Sequence, residues 1–348
     1  MSRKTAIFKD DLFLAHEPGY NHPECPERLQ AIYDMLAKPE IAAKFSFPAF
    51  GPASHAQLAL NHTMAHIERV AATAGRPFEV LDPDTHTSPR SYEAACLAAG
   101  AVITALEMVA TGKADNAAAL VRPPGHHAEA DHTSGFCLFN NIAVGARYGL
   151  SQLGMKRILI IDWDLHHGNG TQHSFYDTDQ VLYCSTHQYP YFPGSGGLHE
   201  VGKGKGEGYT INVPLPGGQG DAAFARIFNE LISPLARCYQ PDCIMVSAGY
   251  DTYVADPLGT MAVTAAGYAY MTRVLVELAA ELCDGRLVLV LEGGYNLEGL
   301  KDGMLASLKE MRGDNSLSGA NFKGLQQAEI PLAPLDQALA ITKKYWTL

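Results

Sequence analysis

The chain has 348 residues, enough for one large α/β domain or two small ones, and neither a linker nor a repeat divides it. Its formal charge of −11 lacks the basic footprint of a nucleic-acid binder and suits a cationic substrate or partner instead. No apolar run of about 18 residues offers a membrane span, and seven cysteines without a CxxC pair read as reduced thiols in the cytoplasm. Five of these, Cys96, Cys184, Cys238, Cys243 and Cys283, read as small core residues.

In chain order, residues 4–8 form a first short strand, and the N-terminus lacks the apolar core of a signal peptide. His-Pro-Glu-Cys-Pro-Glu-Arg-Leu, residues 22–29, leads into a helix through Leu29, Ile32, Tyr33 and Leu36, with Pro26 in its first turn. His22, Glu24 and Arg28 stand close enough to brace the loop before it, or simply form a solvated helix start. Residues 54–74 carry one or two helices, with His62 and His66 one turn apart. No helical Glu accompanies them as in a metalloprotease, so they take a surface or packing role. Residues 81–89 are a loop of turn formers. An alanine-rich helix over 91–111 stops at Gly112, and strand 117–121 delivers Arg-Pro-Pro-Gly-His-His-Ala at 122–128.

The stretch 158–171, Ile-Leu-Ile-Ile-Asp-Trp-Asp-Leu-His-His-Gly-Asn-Gly-Thr, begins as a strand buried on both faces and ends in a burst of acids and imidazoles. Burying Asp162, Asp164, His166 and His167 together costs several kcal/mol unless something compensates, and a divalent metal does. Strand 181–185, a long loop 187–206, strand 209–213 and helix 221–238 follow. Residues 244–251 are a third buried strand ending in an acid, Asp251. Helix 264–283 precedes strand 287–291, which runs into Glu-Gly-Gly-Tyr-Asn at 292–296. After Ser316 the periodicity fades, with a last helical patch near 334–345. The alternation predicts a parallel sheet covered on both faces in a single domain over 1–348, with its core at about 4–312 and a tail at about 316–348.

Strand ends therefore bring Asp164 with His166, Asp251, the His126–His127 pair and Tyr295 to one sheet edge, where ligands gather in such folds. Two carboxylates and one imidazole nearly neutralise a zinc ion and leave a position for water, the layout of a catalytic site. The cysteine spacing excludes Cys₄ and Cys₂His₂ structural zinc.

The motifs Arg-Pro-Pro-Gly-His-His-Ala, Gly-Phe-Cys-Leu-Phe-Asn-Asn, Asp-Trp-Asp-Leu-His-His-Gly-Asn-Gly-Thr-Gln, Phe-Pro-Gly-Ser-Gly and Glu-Gly-Gly-Tyr-Asn, spread in order over roughly 15–305, resemble the zinc-dependent histone deacetylase family. Pro-Pro-Gly-His-His and Asn169 resemble its class II branch and bacterial relatives. The resemblance implies an arginase-like α/β three-layer sandwich, a central mostly parallel sheet flanked by helices. It implies hydrolysis of N-acetyl-lysine amides, in protein or peptide, to lysine and acetate. One zinc per chain would be held by Asp164, His166 and Asp251. His127 would be general base and then acid, with Asn169 in place of an Asp lowering its pKa. His126, backed by Asp162, would be its electrostatic partner and Tyr295 the oxyanion donor, while His167 packs behind the ligands.

The same resemblance gives a substrate tunnel walled by Gly135, Phe136 and Phe192. Leu258 would be a gate on its rim, where an acid in polyamine-specific relatives makes Leu a sign of lysine substrates. Asp84 would grip the substrate backbone, with Asp82 as its rival. A structural potassium ion would sit at Asp162, Asp164, His166, Ser185 and Thr186, and a second monovalent site at Phe175, Thr178, Val181 and Tyr209. The rival enzyme reading is an acetylpolyamine amidohydrolase; a non-catalytic acyl-lysine binder and an arginase-like dimetal hydrolase are the other classes. Acyl-chain preference and zinc against iron stay open. The 187–206 and 16–24 loops are candidates for the rim or for a contact between copies in a homo-oligomer.

Overall fold

In the computed structural model, which describes residues 2–348, seven strands build one sheet. They are β1 (Thr5–Phe8), β4 (Asn116–Ala119), β5 (Ile158–Asp162), β6 (Val181–Gln188), β7 (Thr210–Leu215), β8 (Cys243–Ala248) and β9 (Leu287–Leu291). Their order is β1-β4-β9-β8-β5-β6-β7, and every pairing is parallel. The runs Ile-Leu-Ile-Ile and Leu-Val-Leu-Val-Leu are buried along their whole length, as strands with helices on both faces must be. In register, Asp162 of β5 sits between Ser185 of β6 and Ser247 of β8. The strands β4, β9, β8 and β5, far apart in sequence, are consecutive neighbours. Their four carboxyl-terminal loops therefore open on the same stretch of sheet edge.

Most predicted elements lie within a residue or two of their expected bounds, and the departures have physical causes. The expected loop 81–89 is instead part of a hairpin, β2 (Glu79–Asp82) with β3 (Thr85–Thr87), whose register slips between Val80 and Asp82. Asp82 and Asp84 there supply side-chain acceptors that read as turn chemistry. Helix 221–238 is continuous but widens to a π turn over Phe228–Ile232, just before Pro234, which has no N–H to donate. Helices Asn141–Gln152 and Asn169–Phe175, capped by Asn140 and Gly168, were not expected, nor was Leu297–Arg312, capped by Asn296.

Helix Ser91–Ala110 corrects the membrane expectation. By length and composition it could cross a bilayer, with a mean hydropathy of 1.6, because Glu93, Thr104 and Glu107 interrupt the run without making it polar. It is 72% buried over that window and packs on β4 and on helix Asn141–Gln152. The segment after 316 docks through helix Ala333–Thr342 on β7, burying Leu332, Leu335 and Ala338. Cys238 also departs from expectation: it is exposed on the last turn of helix Ser233–Tyr239, whereas Cys96, Cys184, Cys243 and Cys283 are buried. All seven thiols are unpaired.

Candidate metal centre

The floor of the site is Asp164, His166 and Asp251. One donor atom from each lies within 4.8 Å of the others, and all three residues are buried. Backbone donors hold the carboxylates: Asp164 accepts from the N–H of His166 (2.9 Å) and Gly293 (2.8 Å), and Asp251 from that of Leu165 (2.8 Å). His166 Nδ1 faces a carboxylate oxygen of each acid at 3.2 Å. Glycine is required at 293, where a Cβ would stand 2.3 Å from Asp251 and 2.6 Å from Asp164.

The electrostatics of the floor report excess negative charge. Burial and the Asp164 charge push the Asp251 carboxyl up to about 7, whereas Asp164 is lowered; burial opposes that lowering, but His126 and His166 favour its charged form. Burial opposes charge on His166 as well, yet hydrogen bonds to the two acids push it up to about 9. Two oxygens and one nitrogen converging with surplus charge fit a divalent cation of the zinc type.

The two adjacent histidines stand side by side, their rings 4.0 Å apart, in opposite environments. Nδ1 of His126 bonds Asp162 at 3.1 Å, and Asp162 also accepts from the Tyr183 hydroxyl at 2.9 Å. Burial resists a charge on His126, but Asp164 and Asp162 push it up to about 10. Nδ1 of His127 bonds the neutral Asn169 at 2.7 Å. Burial and the neighbouring His126 and His166 hold His127 well below the usual imidazole range. His167 bonds Ser195 (2.7 Å) and Gln172 (3.0 Å) rather than the floor carboxylates.

Tyr295 enters on the turn after β9. Asp256 fixes that turn, accepting from the N–H of Tyr295 (2.7 Å) and Asn296 (2.9 Å), and its other oxygen holds Leu258 (3.0 Å). Arg28 stacks on the Tyr295 ring at 4.9 Å and donates to the carbonyls of Glu292 and Gly294 at 2.6 Å each. Glu292 in turn accepts from the N–H of Gly125 (2.6 Å) and His126 (3.2 Å). Burial pushes the Glu292 carboxyl up to about 7.

Above the floor, a cavity of about 140 Å³ is lined by Asp84, His126, His127, Gly135, Phe136, His166, Phe192, Leu258 and Tyr295, with Pro124 and Gly293. Phe192 stands edge-on to His127 (5.1 Å between centroids) and Phe136 edge-on to Tyr295 (6.1 Å). Gly135 and Phe136 form the tip of a two-residue turn closed by Ser134 and Cys137, both at positive φ (+53° and +69°). The conformation is costly for Phe; a side chain at 135 would come within 2.4 Å of His127. Asp84 lines the cavity and accepts from Gly135 N–H (3.2 Å), whereas Asp82 turns to Thr133.

Ser185 lies opposite Asp162 across the β5–β6 pairing, and the Thr186 hydroxyl reaches the Asp162 carbonyl at 3.5 Å. Phe175 and Thr178 are joined by a backbone bond (3.3 Å), and the Tyr209 carbonyl accepts from Tyr183, two residues after Val181. His62 and His66 are buried packing residues against Phe139. The expected brace at residues 22–28 is a buried knot of Glu24 with Arg28 and Arg122, while His22 turns its ring to Phe136. Sequence reasoning missed Glu129, Asp256 and Glu292 as supports. Only the acid-then-turn pattern at Asp256-Pro257 and Glu292-Gly-Gly hinted at the last two.

A model of the histone deacetylase domain matches residues 22–311. The chain is 42% identical over 350 residues to the chloroplastic Histone deacetylase 10 of Oryza sativa subsp. japonica, covering 95% of this chain and 79% of that protein. It is 42% identical over 297 residues to a probable deacetylase of Archaeoglobus fulgidus, covering 85% and 82%. The crystal structure of the HDA15 HD domain superposes with a TM-score of 0.91 at 36% identity, covering 99% of this chain and 96% of that one.

Proposed function

The chain belongs to the histone deacetylase family and is a hydrolase of acetylated amides; from that premise we propose that it removes acetyl groups from lysine side chains of proteins or peptides. One observation carries this reading: one cavity is lined by His126, His127, Tyr295 and His166, and His166 belongs to the buried Asp164–His166–Asp251 cluster. The three floor residues would hold one zinc ion, which when bound lowers the pKa of a water and polarises a carbonyl.

The remaining work falls to side chains. With Nδ1 of His127 donating to Asn169, Nε2 is left as a base toward the cavity. It takes a proton from the attacking water and returns it to the departing nitrogen, which without an acid would have to leave as an amide anion. His126, whose charged form Asp164 and Asp162 favour against burial, would set a positive charge beside the water. Tyr295 keeps its proton, since burial raises its pKa, and donates it as a hydrogen bond to the developing oxyanion. Phe136 and Phe192 flank the methylenes of the substrate chain, and Asp84 holds its backbone. Leu258 offers the rim no carboxylate for a second ammonium, which disfavours polyamines.

Zinc-loaded protein given an acetyl-lysine peptide and N-acetylputrescine should turn over the peptide faster. Preference for the polyamine would replace the substrate assignment, and turnover of neither would leave an acyl-lysine binder. Carbonyls at the ends of β5 and β6, with Ser185 and Thr186, would hold a potassium ion, and Phe175, Thr178, Val181 and Tyr209 a second monovalent cation. Seven unpaired thiols suit a cytoplasmic protein, which cell fractionation tests.

A further inference from the structure

We infer that Glu129 is a positioning residue that fixes the orientation of the Asn169 amide and, through it, which nitrogen of His127 carries the proton. The inference rests on the reading of His127 as the base. It begins from a deficiency of Asn169. A carboxylate at that position could only accept, so it would dictate a proton on His127 Nδ1 whichever way it turned. A carboxamide is ambiguous. Rotated by half a turn it would offer its N–H₂ to His127, draw the ring proton to Nε2 and remove the lone pair that faces the cavity.

Glu129 removes the ambiguity. Its Oε1 lies 2.6 Å from Asn169 Nδ2, and a carboxylate has no proton to give. The amide must then point its nitrogen at Glu129 and its oxygen at His127 Nδ1, 2.7 Å away. The same nitrogen reaches the His127 carbonyl at 3.3 Å, a longer contact in the same sense.

Glu129 itself is held at both ends. Its side chain is 12% exposed and also accepts from His173 Nδ1 at 2.8 Å. Its backbone N–H bonds the His132 carbonyl (3.0 Å), and its own carbonyl accepts from His62 Nδ1 (2.9 Å). The His62 tautomer is fixed in turn, since its Nε2 accepts from the Asn140 N–H (2.9 Å). Buried His62 thus becomes the foundation of a line that runs His62, Glu129, Asn169, His127.

Glu129→Ala should lower kcat about ten-fold, the lower end of losses seen for outer partners of catalytic groups, with KM and zinc content unchanged. The decisive arm is the same change in an Asn169→Asp background. An aspartate needs no orienting, so there Glu129→Ala should cost nothing; an equal loss in both backgrounds would overturn the inference. Nitrogen-15 shifts of the His127 ring, measured without substrate, should show Nδ1–H in the parent and a mixture of tautomers in Glu129→Ala. An unchanged tautomer would also overturn it. That measurement decides the matter even if the parent fails to cleave acetyl-lysine, a result that would sink the functional reading instead.

Discussion

The floor and the rim of the cavity are built by different means. Asp164 and His166 follow the end of β5 and Asp251 the end of β8, while the His126–His127 pair follows β4 and Tyr295 follows β9. The ladder of β4, β9, β8 and β5 therefore sets the spacing of the floor and the groups beside it before any side chain interacts. Backbone N–H groups then saturate the buried carboxylates, as burial in a low-dielectric interior demands. The rim comes from the β2–β3 hairpin, the turn at 134–137 and the loops carrying Phe192 and Leu258. No sheet ladder holds those loops, and Phe192 is 42% exposed. Rigid strand ends suit groups whose placement decides a reaction, whereas loops suit groups that select a substrate.

The comparison can be broken most forcefully from below. Asp251→Ala should strip the metal, read by elemental analysis, and lower turnover by about 1,000-fold, the rate equivalent of several kcal/mol of charge stabilisation. Full metal content in that variant would place the ion elsewhere. Tyr295→Phe should keep the metal and lose roughly 100-fold in kcat, the size of a lost oxyanion donor. Little change would remove Tyr295 from the chemistry.

The rim should respond differently. Phe136→Ala and Phe192→Ala should each raise KM by about 2- to 10-fold, as expected for one lost aromatic contact, and leave kcat nearly intact. A fall in kcat with KM unchanged would mean that the wall also orders the floor.

The smallest effect concerns the foundation beneath both. Burial, with a further push from His66, lowers the His62 pKa from 6.5 to about 3. Below pH 6.5 the unfolded chain therefore binds a proton at His62 that the folded chain refuses. Its share of stability is complete above pH 6.5 and drains away as the pH falls towards about 3. Thermal unfolding followed between pH 7 and pH 4.5 should show a shallower loss in His62→Asn than in the parent; equal slopes would show that His62 protonates freely in the fold.

The floor was legible in the sequence because its information is local. Asp162, Asp164 and His166 share one strand end, Arg122 to His127 another, and unbroken aliphatic runs announced strands with two covered faces. The supports were not legible, because a hydrogen bond between Asn169 and Glu129, or between Asp256 and Tyr295, leaves no periodicity. The hairpin at 79–87 was hidden for a related reason, since its Asp and Thr side chains mimic turn residues while the backbone pairs.

Residue pattern alone therefore determined a parallel α/β sheet, a candidate metal floor of two acids and an imidazole, and two histidine pairs at strand ends. Tertiary structure alone decided the strand order that makes β4, β9, β8 and β5 neighbours. It also decided that the apolar helix Ser91–Ala110 is buried on β4, that Asp84 rather than Asp82 lines the cavity, and that a carboxylate stands behind Asn169. Periodicity records what one segment must bury. Only packing between distant segments selects the partners that satisfy each buried polar atom.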